Sequence, residues 1–274
     1  MSSCGFHGCT MNGRPFLRDG EAPDVLYDSG HVAMTYTALC VLLILGDDLS
    51  RVDRQAIAYG LKNLQAANGS FQFCVEGSET DMRFVYCAVC ICYILNDFTT
   101  IDTDRTVKYI LASLSYDGGI GQGPYLEAHG GSTFCAIASL WMMGRLDSLS
   151  TAQIESLRRW CFMRQEAGFQ GRPNKPTDTC YSFWIGGTLS ILDSFEYSNT
   201  ATNRAFLFST QDCITGGFSK WPSHSPDPMH SYMGIAAMSL MGEAGLQPLF
   251  PALNISARAY DHLRSLQGTW CQSR

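Results

Sequence analysis

Three residues of the chain combine side chains that bind transition metals. Asp178 lies two residues before Cys180, and His230 follows 50 residues later. A carboxylate, a thiolate and an imidazole that leave a fourth position open are typical of catalytic zinc sites. The same spacing also allows an ordinary structural interpretation, in which Cys180 packs in the core and His230 is a hydrogen-bonded interior histidine.

Several cationic or hydrogen-bonding side chains lie near these three residues. Arg172 and Lys175 occupy a loop rich in Gly and Pro just before Cys180, and Tyr181 follows it. His129 and Lys220 lie at comparable places about 50 residues earlier and later. Loop cations next to a helix N-terminus can form an anion site, so these residues could converge on a diphosphate. Taken singly, each could also be a solvated surface group.

These residues belong to a repeat of about fifty residues. Similar tetrapeptides begin at Ala33, Arg83, Gly131, Cys180 and His230, which are 50, 48, 49 and 50 residues apart. Each opens an apolar run, and a second, amphipathic segment ending at a Gly follows it. The pattern predicts one all-α domain over 1–274, with two helices per repeat and repeats opening near 31, 82, 130, 179 and 229. It allows either an open solenoid or a closed ring.

Aromatic residues cluster near the predicted helix starts, where they indicate either core packing or the wall of an apolar cavity. They are Tyr36, Tyr86, Phe134, Phe183, Trp184, Trp221 and Tyr232.

Composition excludes several classes of function. The chain has a net charge of -6 and a pI near 5.4, which argues against a basic nucleic-acid surface. Its apolar runs are shorter than a membrane span, and its N-terminus lacks the features of a signal peptide. We therefore expect a cytoplasmic protein with no membrane insertion, whose 12 cysteines are mostly reduced thiols.

Five segments resemble the β subunits of protein prenyltransferases, and in particular those of the type I geranylgeranyltransferases. They read YDSGHVAMTYT (27–37), EGSETDMRFVYC (76–87), AHGGSTFC (128–135), GRPNKPTDTCYSFW (171–184) and GGFSKWPSHSPDPMHSY (216–232). The resemblance implies an α/α toroid, a barrel of paired helices with its active site at one end of a central cavity. It also implies that the chain begins within the first repeat and lacks the N-terminal helices of the family.

The resemblance assigns roles to individual residues. Asp178, Cys180 and His230 match the zinc ligands, and Lys220 matches the lysine that replaces a magnesium-binding aspartate of farnesyltransferases, so magnesium is not expected to be required. Two further sets are implied: the diphosphate-binding and catalytic group of His129, Gly131, Arg172, Lys175, Tyr181 and Lys220, and the cavity positions Arg83, Tyr86, Cys135 and Trp184.

The activity implied is transfer of a geranylgeranyl group from its diphosphate to the cysteine of C-terminal Cys-a-a-X motifs, with X mostly Leu or Phe. The implied partners are an α subunit and substrates such as Rho/Rac-type small GTPases. Alternatives are a β subunit for farnesyl transfer or for Rab geranylgeranylation, and an inactive helical-repeat scaffold. A terpene cyclase would need acidic cavity motifs, which the sequence does not show.

Overall fold

A computed structural model of the chain describes residues 4–8, 30–77 and 79–272. The parts of the predicted 1–274 domain at 1–3, 9–29, 78 and 273–274 lie outside the described residues. Ten α-helices and two short strands follow one another along the described part. They are α1 Val32–Ile44, α2 Arg54–Leu64, α3 Met82–Leu95, α4 Thr103–Ala112, α5 Gly130–Met142, α6 Thr151–Phe162, α7 Thr179–Ile191, α8 Thr200–Ser209, α9 Pro228–Leu240, β1 Leu249–Phe250, β2 Ile255–Ser256 and α10 Ala257–Gln272.

The odd-numbered helices α1 to α9 form an inner row in which each helix packs on the next. They begin within one residue of the predicted repeat openings, and their sequences are almost entirely apolar. The even-numbered helices α2 to α8 connect them and bury only part of their surface, as α4 does with Val107, Tyr109 and Ile110. The all-α prediction is confirmed, and the apolar helices are the buried ones, as expected from their lack of a polar face.

One hydrogen bond recurs at the start of four inner helices and links each repeat to the next. The first N–H groups of a helix have no partner inside the helix and need one elsewhere. Here the first residue of the helix donates to a carbonyl in the turn after the following outer helix. The pairs are Val32 to Phe73 at 2.8 Å, Met82 to Gln122 at 2.9 Å, Gly130 to Gly171 at 2.7 Å and Thr179 to Lys220 at 3.1 Å. This bond brings the N-terminal ends of the inner helices and these turns together at one end of the fold.

The segment around β1 and β2 closes the row of inner helices into a ring. Three tyrosine hydroxyls from three inner helices donate to three consecutive backbone carbonyls of this segment. The pairs are Tyr86 to Ala252 at 3.0 Å, Tyr36 to Leu253 at 2.9 Å and Tyr232 to Asn254 at 2.5 Å. Because Tyr232 lies on α9 and Tyr36 on α1, the segment bridges the two ends of the row. Of the two architectures that the repeat allowed, the structure is the closed one.

We expect Tyr86→Phe to lower the free energy of unfolding by about 1–3 kcal/mol, because it leaves the buried Ala252 carbonyl without its donor. Urea denaturation of the variant and of wild type measures this change. Tyr59→Phe is the control, since the Tyr59 side chain is 51% exposed and its loss of a hydroxyl should cost less than about 0.5 kcal/mol. Equal stability of Tyr86→Phe and wild type would contradict a closing role for this hydroxyl.

Candidate metal and anion site

The candidate metal-binding side chains lie at the N-terminal ends of the neighbouring helices α7 and α9. Asp178 is the N-cap of α7, and its Oδ1 accepts from the Cys180 N–H at 2.9 Å. Asp227 is the N-cap of α9, and its Oδ1 accepts from the His230 N–H at 3.0 Å. Each cap therefore fixes the backbone that carries a candidate ligand. One ligand atom from each of Asp178, Cys180 and His230 lies within 4.8 Å of the others, and all three residues are buried.

The hydrogen bonds of His230 leave one ring nitrogen suited to a cation. Nδ1 lies 2.5 Å from Asp227 Oδ2, which only accepts, so Nδ1 carries the proton. Nε2 has no hydrogen-bond partner in the described part of the chain and faces Asp178 Oδ1 at 3.3 Å. With the proton on Nδ1, the Nε2 atom of His230 and the Oδ1 atom of Asp178 are two acceptors that face one another. A metal ion between such acceptors would stabilise the arrangement. A carboxylate that orients a ligating histidine in this way is common at metal sites.

The Cys180 thiol would stay protonated in this environment without a cation. Burial raises the pKa of Cys180 above its usual range, the Asp178 charge raises it further, and the Lys220 charge acts in the opposite sense. A thiolate is the form of cysteine that binds metals, so a metal would release this proton on binding. The donor set of Asp178, Cys180 and His230 therefore fits zinc in both type and number.

Asp227 is a site residue that the sequence interpretation missed, although its position three residues before His230 at a helix start is a usable signal. We expect Asp227→Asn to weaken zinc binding by about 10- to 100-fold, because His230 loses the carboxylate that fixes its orientation. Competition with a chelator measures the affinity. Asp212→Asn is the matched control, since the Asp212 carboxylate accepts hydrogen bonds from Ile214 and Thr215 of its own loop. Unchanged affinity in Asp227→Asn would contradict the orienting role.

Lys220 lies directly beside this metal-binding group. Its Nζ is 3.7 Å from Asp178 Oδ2 and 4.5 Å from the centroid of the Trp221 ring. The Lys220 carbonyl accepts the first N–H of α7, so the backbone of this turn is fastened to the helix that carries Cys180. The side chain is 45% exposed, which leaves the ammonium accessible to an anion from solvent.

His129 and Tyr181 form a second polar pair at the starts of α5 and α7. His129 Nδ1 accepts from the Gly131 N–H at 3.1 Å, so the other nitrogen, Nε2, carries the proton and donates to the Tyr181 hydroxyl at 2.9 Å. Burial, and next the Arg172 charge, lower the pKa of His129, which favours this neutral form. Burial raises the pKa of Tyr181, so its hydroxyl keeps its proton and can donate it to an anion.

The two loop cations are placed differently from one another. Arg172 Nη1 forms an ion pair with Glu127 Oε2 at 2.7 Å, a partner that the sequence did not reveal. Its charge also acts on His129 and Tyr181, so it lies near that pair. Lys175 is exposed in the same loop, and its side chain makes no ion pair within the described ranges. The structure thus brings Arg172, His129 and Tyr181 together, whereas the Lys175 side chain is exposed to solvent in the loop before α7.

Four aromatic rings contact one another in a row that runs from the candidate metal ligands to the closing segment. Trp184 neighbours Cys180, and its ring centroid is 5.1 Å from that of Phe134. Phe134 is followed by Tyr86 at 5.5 Å and Tyr86 by Tyr36 at 5.4 Å. Each ring comes from a different inner helix, so the row crosses the ring of helices. Trp184 and Tyr36 are half-buried, whereas Phe134 and Tyr86 between them are buried, so the row offers apolar surface chiefly at its two ends.

Two other predicted cavity residues lie close to each other but differ in burial. Cys135 is buried, while the Arg83 side chain is 53% exposed and is held by ion pairs with Glu79 and Asp81. The Arg83 charge acts on Cys135, so the two lie near each other. Asp81 is also the N-cap of α3, the place that Asp178 occupies on α7.

No helix in the part of the chain that the structure describes combines the length and apolarity needed to cross a membrane.

Comparisons with known proteins agree with this architecture. The family model for the prenyltransferase alpha-alpha toroid domain matches residues 1–255. The geranylgeranyl transferase type-1 subunit beta of Arabidopsis thaliana is 44% identical over 261 residues, covering 92% of this chain and 68% of that protein. Its counterpart from Dictyostelium discoideum is 39% identical over 265 residues, covering 94% and 75%. The solved Candida albicans protein geranylgeranyltransferase-I complexed with GGPP superposes with a TM-score of 0.80 at 30% identity, over 88% of this chain and 75% of that one.

Proposed function

The chain belongs to the prenyltransferase alpha-alpha toroid family, and we propose that it is the catalytic β subunit of a type I protein geranylgeranyltransferase. It would transfer a geranylgeranyl group from its diphosphate to the cysteine of C-terminal Cys-a-a-X motifs. The observation that carries this proposal is the similarity, over more than nine-tenths of the chain, to two type-1 β subunits. The cluster of Asp178, Cys180 and His230, next to the row of aromatic rings that begins at Trp184, supports it.

We propose that Asp178, Cys180 and His230 hold one zinc ion. Their donor types fit zinc, and the buried Nε2 of His230 is left without a partner in the described part of the chain. When bound, zinc would supply a Lewis acid that keeps the thiol of the protein substrate as a thiolate at neutral pH.

The remaining polar groups of the site would act on the diphosphate. In the reaction, a bond forms between the substrate sulfur and C1 of the isoprenoid, and the bond from C1 to the bridging oxygen breaks. The diphosphate leaves with that electron pair, and Lys220, Tyr181 and Arg172 would stabilise its growing charge. His129 would hold Tyr181 in the orientation that points its proton outward. Lys175, which is exposed in the same loop as Arg172, and Gly131, whose N–H bonds His129, would complete the diphosphate-binding set.

The apolar part of the substrate would lie along the row of rings from Trp184 to Tyr36, with Arg83 and Cys135 beside it. Burying a twenty-carbon chain against aromatic side chains is favourable in proportion to the apolar area removed from water. The cations Lys220 and Arg172 near one end of this row would suit the charged head of an amphiphilic substrate.

The residue at position 220 favours this function over farnesyl transfer. By the family resemblance, Lys220 stands where farnesyltransferases have a magnesium-binding aspartate. We therefore propose that magnesium is not required. The α subunit, Rho/Rac-type protein substrates and a cytoplasmic location follow from the same proposal. The three metal-binding side chains in one buried cluster support it over the inactive scaffold, which has no use for them.

A transfer assay tests this function. The full chain, co-purified with a type I α subunit, is offered a peptide ending in Cys-a-a-Leu with either geranylgeranyl or farnesyl diphosphate. We expect faster transfer of the geranylgeranyl group, and more with Leu than with Ser at the last position. Preference for farnesyl diphosphate, or modification only of a Rab protein, would contradict the type I assignment.

A further inference from the structure

The two oxygens of the Asp178 carboxylate face different partners. Oδ1 accepts from the Cys180 N–H at 2.9 Å and lies 3.3 Å from His230 Nε2, on the side of the metal-binding group. Oδ2 lies 3.7 Å from Lys220 Nζ, on the side of the anion position. The Asp178 side chain is only 7% exposed, so water does little to weaken these interactions. One carboxylate therefore belongs to both the metal group and the anion group.

Lys220 has room to exchange partners. Its side chain is 45% exposed, whereas the carboxylate it pairs with is buried. In the same position Nζ also lies 4.5 Å from the centroid of the Trp221 ring, a cation–π contact. Asp178 and Trp221 therefore share the ammonium, and its half-exposed side chain can turn toward an anion in solvent.

A metal ion and the Lys220 ammonium would compete for the same carboxylate. The candidate ligand group contains Asp178, and Lys220 Nζ lies 3.7 Å from Oδ2 of that residue. A cation held by this group would therefore repel the ammonium, and the low exposure of Asp178 leaves little water to screen the repulsion. The presence of Lys220 opposes the binding of the metal.

We propose that the Asp178–Lys220 pair couples the metal site to the anion site. Lys220 weakens metal binding while it pairs with Asp178, and a diphosphate that draws Lys220 away strengthens it. Linkage requires the reverse as well, so a bound metal frees Lys220 for the diphosphate. This inference rests on the proposed function for the identity of the two ligands, and it makes Lys220 a positioning residue for the metal site in addition to its role at the diphosphate.

Zinc affinity measured by competition with a chelating indicator tests the coupling. The full chain with its α subunit is compared as wild type, Lys220→Met and Lys62→Met, each with and without micromolar geranylgeranyl diphosphate, at free zinc concentrations set by the chelator. We expect Lys220→Met to bind zinc about fivefold more tightly, the effect of one charge at a half-exposed position. Lys62→Met removes the same charge from an exposed position on the outer helix α2 and should leave the zinc affinity unchanged. The diphosphate should tighten zinc binding more in wild type than in Lys220→Met.

The outcomes separate this inference from the function on which it rests. Equal zinc affinity in wild type and Lys220→Met, or equal tightening by the diphosphate in both, would overturn the coupling while leaving the zinc site intact. An equal gain in zinc affinity in Lys62→Met would also overturn it, since the effect would then be one of general charge. A wild-type chain that binds no zinc would overturn the proposed metal site and the coupling together. Lys220→Arg, which keeps the charge, should behave as wild type.

Discussion

Cys180→Ala is expected to remove bound zinc from the chain and to abolish transfer with it. The change takes away the only thiolate in a three-residue group whose other members are a carboxylate and an imidazole. Losing a group that merely orients a ligand costs about 10- to 100-fold in metal affinity, so losing a ligand itself should cost more than about 100-fold. Elemental analysis of the purified protein and a transfer assay with geranylgeranyl diphosphate measure the two effects.

A second buried cysteine provides the control for Cys180→Ala. Cys161 is fully buried on the outer helix α6, and burial raises the pKa of its thiol to about 12, so it is protonated and inert. Cys161→Ala should therefore keep one zinc per chain and lose only stability. A Cys180→Ala protein that retained one zinc per chain would contradict the assignment of this residue as a ligand.

Lys220→Asp is expected to make transfer depend on magnesium. The substitution places a carboxylate where an ammonium now faces the anion position, next to the buried Asp178. Two acids and a diphosphate would repel one another, and we expect the transfer rate to fall by about 100-fold in magnesium-free buffer. Millimolar magnesium, which binds carboxylate and phosphate oxygens together, should restore much of that rate.

A rate profile against magnesium concentration measures this effect in wild type and variant. Lys62→Asp is the control, because Lys62 is exposed on the outer helix α2 and its reversal changes net charge by the same amount. Wild-type transfer should be indifferent to magnesium. A Lys220→Asp protein that transferred at the wild-type rate without magnesium would contradict the role of this lysine at the diphosphate.

The helical repeat and the clustering of the three candidate metal ligands could be predicted from the sequence because these residues occupy a repeated position. Each inner helix is a long apolar run that begins at a capping residue, and both features leave a signature in residue type. Since equivalent helix starts converge in the closed structure, a carboxylate, a thiol and a histidine at those starts meet although His230 is 50 residues from Cys180. Asp227, which orients His230, was missed. An aspartate at a helix start is fully explained by its role as an N-cap, so the sequence gives no separate sign of its second contact with His230 Nδ1.

Ring closure could not be predicted from the repeat. It depends on tyrosine hydroxyls that donate to backbone carbonyls of residues 252–254, and a carbonyl acceptor has no residue type to recognise. The same is true of the bonds from helix starts such as Val32 and Thr179 to carbonyls of the next repeat. The Arg172–Glu127 ion pair joins loops of different repeats, so it became apparent only when the repeats were placed side by side.

Zinc content and geranylgeranyl transfer, measured on one preparation of the full chain with its α subunit, test the central claim most directly. The preparation is stripped of metal, and zinc is added back in steps while transfer to a Cys-a-a-Leu peptide is followed. We expect the transfer rate to rise in proportion to bound zinc and to level off at one zinc per chain. Transfer that persists in the metal-free protein, or zinc that binds at one per chain without any transfer, would contradict the claim that this cluster is the catalytic centre.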